Sequence, residues 1–562
     1  MAHSPTHQVT NQPEPLADHN VYAGDSALQD ALAFHLPGAA DSHRHALGAL
    51  LGSAPMQEHA RLANLHKPHL RTHDRFGHRI DEVEFHPSYH ALLGAAVGAG
   101  LHATPWAGGA GSHIERAAAF LMFTELEPSV LCPISMTYAV TPALRANAPL
   151  FDAWFNTLTS THYDARLLPV QAKTGVTMGM GMTEKQGGSD VRANTSTARF
   201  EEDTAWGRRY CLVGHKWFFS APMCDAFLVL AQAPGGLSCF HLPRWLPDGT
   251  HNAVRIERLK DKLGNQANAS AEVEFTGAKA WLVGEEGRGV QQILEMGTLT
   301  RLDCALGTAG LMRHAVSLAL HHTSQRRAFG KRLVEQPLMR NVLADLCLES
   351  EAATALALRL ARAVDRQDDP FEQLMRRILT PVAKFWVCKR GSALAQEAME
   401  CLGGNGYVED HGVGTMARIY REMPLNSIWE GAGNIMALDL LRALRKRSSG
   451  AMREDSDVVQ ALASELGTAR GSSAAFDSFC GQVLARVAEA ADAPGVDEEL
   501  GARRLAQDVA LAVQASLLCR HAPAAVFDGF CASRLNGPGV QVFGTLPTGV
   551  DMDAIIRRAM PS

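Results

Sequence analysis

The chain has 562 residues, 46% of them hydrophobic and 20% charged, with a formal net charge of −6. Such a composition suits three or four globular domains with large cores, and it gives no global electrostatic case for a nucleic-acid or membrane partner. Eleven scattered cysteines, an odd count with no C-x-x-C, argue against a disulfide framework and point to a reducing cytoplasm.

Residues 1–175 read as mostly helical behind a polar leader that lacks an apolar signal core. A periodic apolar segment starts at Ser26, and 91–101 and 114–123 look like core helices. Histidines are dense here (His43, His45, His66, His69, His73, His78, His86, His90), but no Cys or carboxylate spacing accompanies them. No metal site is expected.

Residues 176–285 change character. Alternating segments at 194–200, 209–213, 216–219, 227–231, 237–241, 254–259, 272–275 and 280–283 are separated by turn residues. They predict a small barrel or sandwich. From 286 to 444 long periodic patterns return at 290–296, 305–325, 338–366 and 381–402, and Gly403-Gly404 stops the last of them. A helix bundle is expected there. The stretch 445–450 reads as a linker, within an Ala-, Leu- and Val-rich helical extension over 445–562. No run reaches the roughly 18 apolar residues of a membrane helix. The fold class expected is α+β and multidomain.

Four stretches can carry chemistry. Met182-Thr183-Glu184-Lys185-Gln186-Gly187-Gly188-Ser189-Asp190 sets hydroxyls and glycine amides on one turn, able to face a pyrophosphate or ring carbonyls. It is neither a G-x-G-x-x-G nor a P-loop, and read alone a hairpin turn is the stronger explanation. Lys216-Trp217-Phe218-Phe219-Ser220 puts aromatics on a strand, where core packing is the plain alternative. Gln325-Arg326-Arg327-Ala328-Phe329-Gly330 ends a helix with cations that suit either its dipole or a phosphate. Trp429-Glu430-Gly431-Ala432-Gly433-Asn434 places one carboxylate among small residues ahead of an apolar helical run, as a general base or as a capping Glu.

Taken together and in order, these segments resemble the acyl-CoA dehydrogenase flavoproteins. Met182-Thr183-Glu184 to Gly188-Ser189-Asp190 is similar to the family's flavin loop, and Lys216 to Ser220 to its Lys-Trp-Ile-Thr-Asn strand. Arg326 to Gly330 is similar to the segment that reaches a neighbouring subunit's flavin, Leu402 to Tyr407 to the G-G-x-G-Y loop, and Trp429-Glu430-Gly431 to the catalytic loop. A narrower resemblance, to the AidB branch of adaptive-response flavoproteins linked to DNA alkylation, lies in Asn11-Gln12-Pro13, in 257–265, in 300–307 and in the extension.

The resemblance implies an N-terminal helical domain, a central β-barrel or sandwich, and a helix bundle with the flavin and catalytic loop. It implies FAD as cofactor, a homotetramer, and α,β-dehydrogenation of a short branched, isovaleryl-like acyl-CoA. Glu430 would be the base, with Arg301 near it; Thr300, where some members carry the base, cannot serve. Met182, Thr183, Ser189, Trp217, Phe219, Ser220, Arg326, Phe329, Gly403, Gly404, Trp429, Gly431, Gly433 and Asn434 would hold the cofactor. Phe219, Ala432 and Glu400 depart from the family's usual Thr, Thr and Gln.

The branch also implies double-stranded DNA binding by the extension, where Arg442, Arg445, Lys446 and Arg447 cluster and Arg503-Arg504 and Arg557-Arg558 form pairs. From 441 to 562 there are 13 Lys+Arg against 14 Asp+Glu, a net of −1, so only such clusters can neutralise phosphates. The alternative is an ordinary dehydrogenase, or an oxidase, without a DNA role.

Overall fold

The computed structural model describes residues 5–412, 414–445, 456–492, 496–536 and 542–562. Its contacts divide the chain into two compact units, one of 58–303 and one of 1–57 with 304–562.

Helices α1 (Ser26–His35), α2 (Ser42–Leu51) and α3 (Ala54–Leu65) lead the chain. A hairpin of β1 (His69–His73) and β2 (Arg79–Glu84) follows, antiparallel and turned at Asp74 to His78. This hairpin is an addition to the mostly helical expectation for the first 175 residues. Its strands hide behind charged and histidine residues, with only Asp81 and Val83 of β2 buried. Next come α4 (Pro87–Gly98), α5 (Thr104–Ala107), α6 (Ser112–Leu126), α7 (Leu131–Leu144) and α8 (Ala148–Leu158). Two start signals are visible: Pro87 opens α4, and the Asn147 side chain accepts from Leu150 N–H to cap α8.

The barrel strands are β3 (Met178–Gly181), β4 (Thr197–Thr204), β5 (Gly207–Ser220) and β6 (Ala226–Ala233). They continue as β7 (Gly236–Pro243), β8 (Val254–Leu259) and β9 (Ser270–Val283). Strands β6, β4, β5, β9 and β7 pair in a ring, since β7 pairs β6 again, while β3 and β8 add at β6 and β9. Two pairs of expected short strands are single long ones. Gly214 and Gly277 mark irregularities inside β5 and β9 rather than ends, and the register slips beside both. Helix α7 docks on the barrel where Thr137 Oγ1 accepts from Met178 N–H at 2.8 Å. A wholly buried ion pair, Arg116 with Asp303, also fixes this unit's core. Removing one partner of such a pair costs about 3–5 kcal/mol.

The remaining helices are α9 (Gly289–Gln325), α10 (Pro337–Asp365), α11 (Pro370–Cys401), α12 (Gly404–Tyr407) and α13 (Thr415–Glu422). After them come α14 (Gly433–Arg445), α15 (Ser456–Gly467), α16 (Ala474–Asp492), α17 (Val496–His521), α18 (Ala524–Phe530) and α19 (Met552–Ala559). The extension is bolted to the bundle by buried ion pairs. Arg359 on α10 meets Glu372 on α11 and Glu465 on α15 at 2.7 and 2.9 Å. Arg558 on α19 meets Glu351 on α10 and Asp30 on α1 at 2.8 and 2.9 Å. Among the described residues no helix is long and apolar enough to cross a membrane, and no cluster of three metal-ligating side chains occurs.

Candidate active site

In the 58–303 unit the flavin-type loop leaves the end of β3. Its foundation is Glu184, fully buried, whose carboxylate accepts from Lys216 Nζ and from Thr195 N–H, both at 2.7 Å. Lys216, equally buried, also donates to the Leu230 carbonyl at 2.7 Å. Burial alone would raise the Glu184 pKa, but the Lys216 charge and the donors outweigh it and hold it down at about 2. Trp217 N–H donates to the Thr183 carbonyl at 2.8 Å and ties β5 to the loop. A methyl group on Gly188 would lie 2.4 Å from Thr183 Oγ1, so this close approach requires glycine. Met182 and Thr183 are half-buried and Ser189 is exposed at the rim.

Trp217 and Ser220 are half-buried, and Lys260 Nζ stands 3.6 Å from the Trp217 ring centroid. The expectation for Phe219 needs correction. Its side chain is fully buried, 4.2 Å from the Phe227 ring and 6.2 Å from that of Phe275. A register slip between Lys216 and Phe219 breaks the two-residue alternation. Trp217 and Phe218 therefore stay outside, and Phe219 turns inward. Arg301 is half-buried on α9, and Thr300 beside it is buried, its hydroxyl donating to the Gly297 carbonyl at 3.1 Å.

In the other unit Trp429-Glu430-Gly431 forms the turn into α14. Glu430 sits at φ 60° and Gly431 at φ 107°. Left-handed backbone is natural for glycine but costs a glutamate roughly 1–2 kcal/mol. Trp429 is fastened by its indole N–H to Asn426 Oδ1 at 2.9 Å. Lys384 on α11 donates to the Gly431 carbonyl. Gly433 packs on α11 near Lys389 and Phe385. Asn434 is exposed, and its Oδ1 accepts from Arg503 on α17 at 2.9 Å.

Arg326 donates to the Asn11 carbonyl, and Asn11 exchanges two 2.8 Å bonds with the Arg327 backbone. Phe329, at the tip of the two-residue hairpin joining Arg327–Ala328 to Lys331–Arg332, is 98% exposed. Gly403 and Gly404 end α11 and begin α12, and neighbouring Asn405 donates to Gln12 Oε1 at 3.2 Å. The leader thus touches two of the three cofactor-type segments of this unit. Of the basic cluster, Arg442 is exposed and pairs with Asp439, whereas Arg445 is half-buried and donates to the Ala490 carbonyl. Lys446 and Arg447 lie outside the described residues.

Residues 11–165 match the family of the adaptive response protein AidB N-terminal domain. Residues 179–278 match the acyl-CoA dehydrogenase middle domain, and 287–445 its C-terminal domain. The chain is 51% identical over 449 residues to AidB of Escherichia coli (strain K12), across 79% of its own length and 82% of that protein. The chain belongs to the acyl-CoA dehydrogenase family. Within it, the chain is AidB-like, and it is an FAD-dependent oxidoreductase of acyl-CoA dehydrogenase type. Acyl-CoA dehydrogenase family member 11 of Caenorhabditis elegans is 30% identical, over 75% of this chain and 70% of that one. Two solved structures carry the same fold, each at a TM-score of 0.81. The Bd2924 apo-form is 29% identical and covers 91% of this chain and 99% of its own. The Caenorhabditis elegans ACDH-11 complex with C11-CoA is 25% identical and covers 100% and 93%.

Lys384 and the contacts made by Arg503 and Asn11 escaped the sequence reading. Lys384 alone had a local signal, a single cation inside the apolar run Pro381-Val382-Ala383-Lys384-Phe385-Trp386-Val387.

Proposed function

We propose that the chain oxidises a short branched acyl-CoA, isovaleryl-CoA-like, at its α,β bond with Glu430 as base. The observation that carries this is the Glu430 turn, a carboxylate on left-handed backbone fastened at Trp429 and Gly431, inside the segment that matches the dehydrogenase C-terminal domain. The donor set suits a flavin: a half-buried indole at Trp217, half-buried hydroxyl residues Thr183 and Ser220, and Ser189 exposed at the rim. When bound, FAD supplies the acceptor for the hydride that leaves the β-carbon. The Glu430 carboxylate takes the α-proton, and its backbone N–H donates to the thioester carbonyl as enolate charge develops. Met182, with Thr183 and Ser189, would hold the ring and ribityl side. Gly403, Gly404 and Asn434 would hold the adenosine or diphosphate end, and Arg301 is the second catalytic candidate.

Anaerobic mixing with isovaleryl-CoA should bleach the flavin band. Glu430→Gln should slow bleaching by about a hundredfold or more with the flavin retained. Bleaching by no thioester in a panel that extends to C11-CoA would sink the proposal. Peroxide release under air would favour an oxidase.

A homotetramer in the cytoplasm completes the proposal, supported by the exposed Phe329 and by Arg326 beside it. Double-stranded DNA binding by the extension rests on the AidB likeness and on exposed Arg442. Mobility shift at moderate salt, with Arg442, Arg445, Lys446 and Arg447 changed to Ala, tests it; unchanged binding would clear the cluster of that role.

A further inference from the structure

Lys384 lies within α11 with its side chain inside the protein, 1% exposed. A hydrocarbon of that volume would fill the space without desolvating an ammonium, so packing alone does not account for a lysine here. Its Nζ donates to the carbonyl of Gly431, the residue after Glu430. That carbonyl closes a turn in which two successive residues hold positive φ, and the first of them carries a full side chain. Such a turn persists only where its surroundings over-determine it. The same helix meets the loop again further along. A side-chain carbon on Gly433 would lie 2.9 Å from Lys389 Cε and 3.4 Å from Phe385 Cε2, so the start of α14 packs closely on α11.

We propose that Lys384 is a positioning residue for Glu430: its buried ammonium holds the Gly431 carbonyl against α11 and so keeps the left-handed turn that aims the carboxylate. Lys384 does not touch substrate. Without its donor, the Gly431 peptide is free to rotate and Glu430 relaxes to ordinary negative φ, carrying both its carboxylate and its backbone N–H away. This inference rests on Glu430 being the base, but its structural half does not depend on any thioester.

The test uses the FAD-loaded full chain as wild type, Lys384→Met and Lys384→Gln. Hydrogen exchange followed by mass spectrometry needs no substrate, and residues 426–434 of Lys384→Met should exchange about tenfold faster while α10 stays protected. Lys384→Gln, with a shorter donor, should show a smaller rise at the same residues, and it carries the comparison should the Met variant not fold. In stopped flow the limiting rate of flavin reduction should fall about tenfold or more with thioester Kd nearly unchanged, because misplacing a base impairs the chemical step rather than binding. Unchanged exchange at 426–434, or a rise spread equally over α10 and α11, would overturn the proposal and leave Lys384 a core residue. A wild type that no thioester reduces would refute the reading of Glu430 as base, while the exchange result would still decide whether Lys384 holds the turn.

Discussion

Arg503 of α17 donates to Oδ1 of Asn434, the second residue of α14, at 2.9 Å. One end of this contact lies in the C-terminal extension and the other in the segment proposed to meet the cofactor's adenosine or diphosphate end. The guanidinium also lies 5.5 Å from the centre of the Phe385 ring on α11, so it is held from two sides. The extension is therefore part of the support of the catalytic loop, whatever else it binds. Arg503→Ala should weaken FAD binding by about fivefold, the effect of losing roughly one hydrogen bond of 1 kcal/mol, without moving the melting temperature much. Fluorescence titration of the apoprotein with FAD measures it, and unchanged affinity would separate the extension from the cofactor.

Glu184 and Lys216 form a pair whose removal should act on the barrel. Lys216→Met leaves a buried carboxylate without its cation and should cost about 3–5 kcal/mol, read as a lower urea midpoint. Replacing both, Glu184→Gln with Lys216→Met, should recover much of the loss. The pH dependence has a definite sign. The folded Glu184 pKa is about 2, below the unfolded carboxylate value. Its contribution is present above that unfolded value and lost as pH falls towards 2. Wild type should therefore lose stability in that acid window more steeply than the double variant.

Much of the site was legible because its chemistry is written in local strings: the loop at 182–190, the aromatic strand at 216–220, and Trp429-Glu430-Gly431. Strand β8 was found with both ends at Val254–Leu259. What stayed hidden depends on register or on distant partners. Periodicity cannot show that β5 slips between Lys216 and Phe219, so the full burial of Phe219 could not be read from the strand pattern. Glycines at 214 and 277 looked like strand ends because a bulge and a turn use the same residue. Lys384 and Arg503 meet their partners across 47 and 69 residues, separations that no motif encodes.

His35 on α1 and His521 on α17 should make the 1–57 with 304–562 unit acid-sensitive. Burial and neighbouring arginines, Arg359 first, press His35 down to about 2. Burial chiefly presses His521 to about 4. Both are neutral in the folded state, so an unfolded chain with histidines near 6.5 takes up more protons as pH drops. Their contribution is therefore full above the unfolded value and is lost from there down through the folded values. Between pH 7 and pH 5, His35 alone should remove about 2 kcal/mol. Urea midpoints at the two pH values measure the slope, and His35→Phe should flatten it; an equal slope in that variant would assign the acid sensitivity elsewhere.

Phe329 gives the last prediction. It is 98% exposed at φ 52°, on a hairpin tip that Asn11 braces from the leader. Tyr407, also in this unit, is 78% exposed. Neither a solvent-facing phenylalanine nor its left-handed backbone helps an isolated chain, since both carry a cost that burial against a partner would offset. If the chain assembles through this tip, Phe329→Ser removes apolar area of about 2 kcal/mol per contact. Light scattering should then show smaller species at micromolar concentration. Flavin content should fall together with assembly, because Arg326 lies three residues away in the segment proposed to serve a neighbour's flavin. Asn11→Ala, which leaves Phe329 in place but frees the hairpin, should produce the same change more weakly. A Phe329→Ser protein that keeps both its mass and its flavin would remove this tip from the interface.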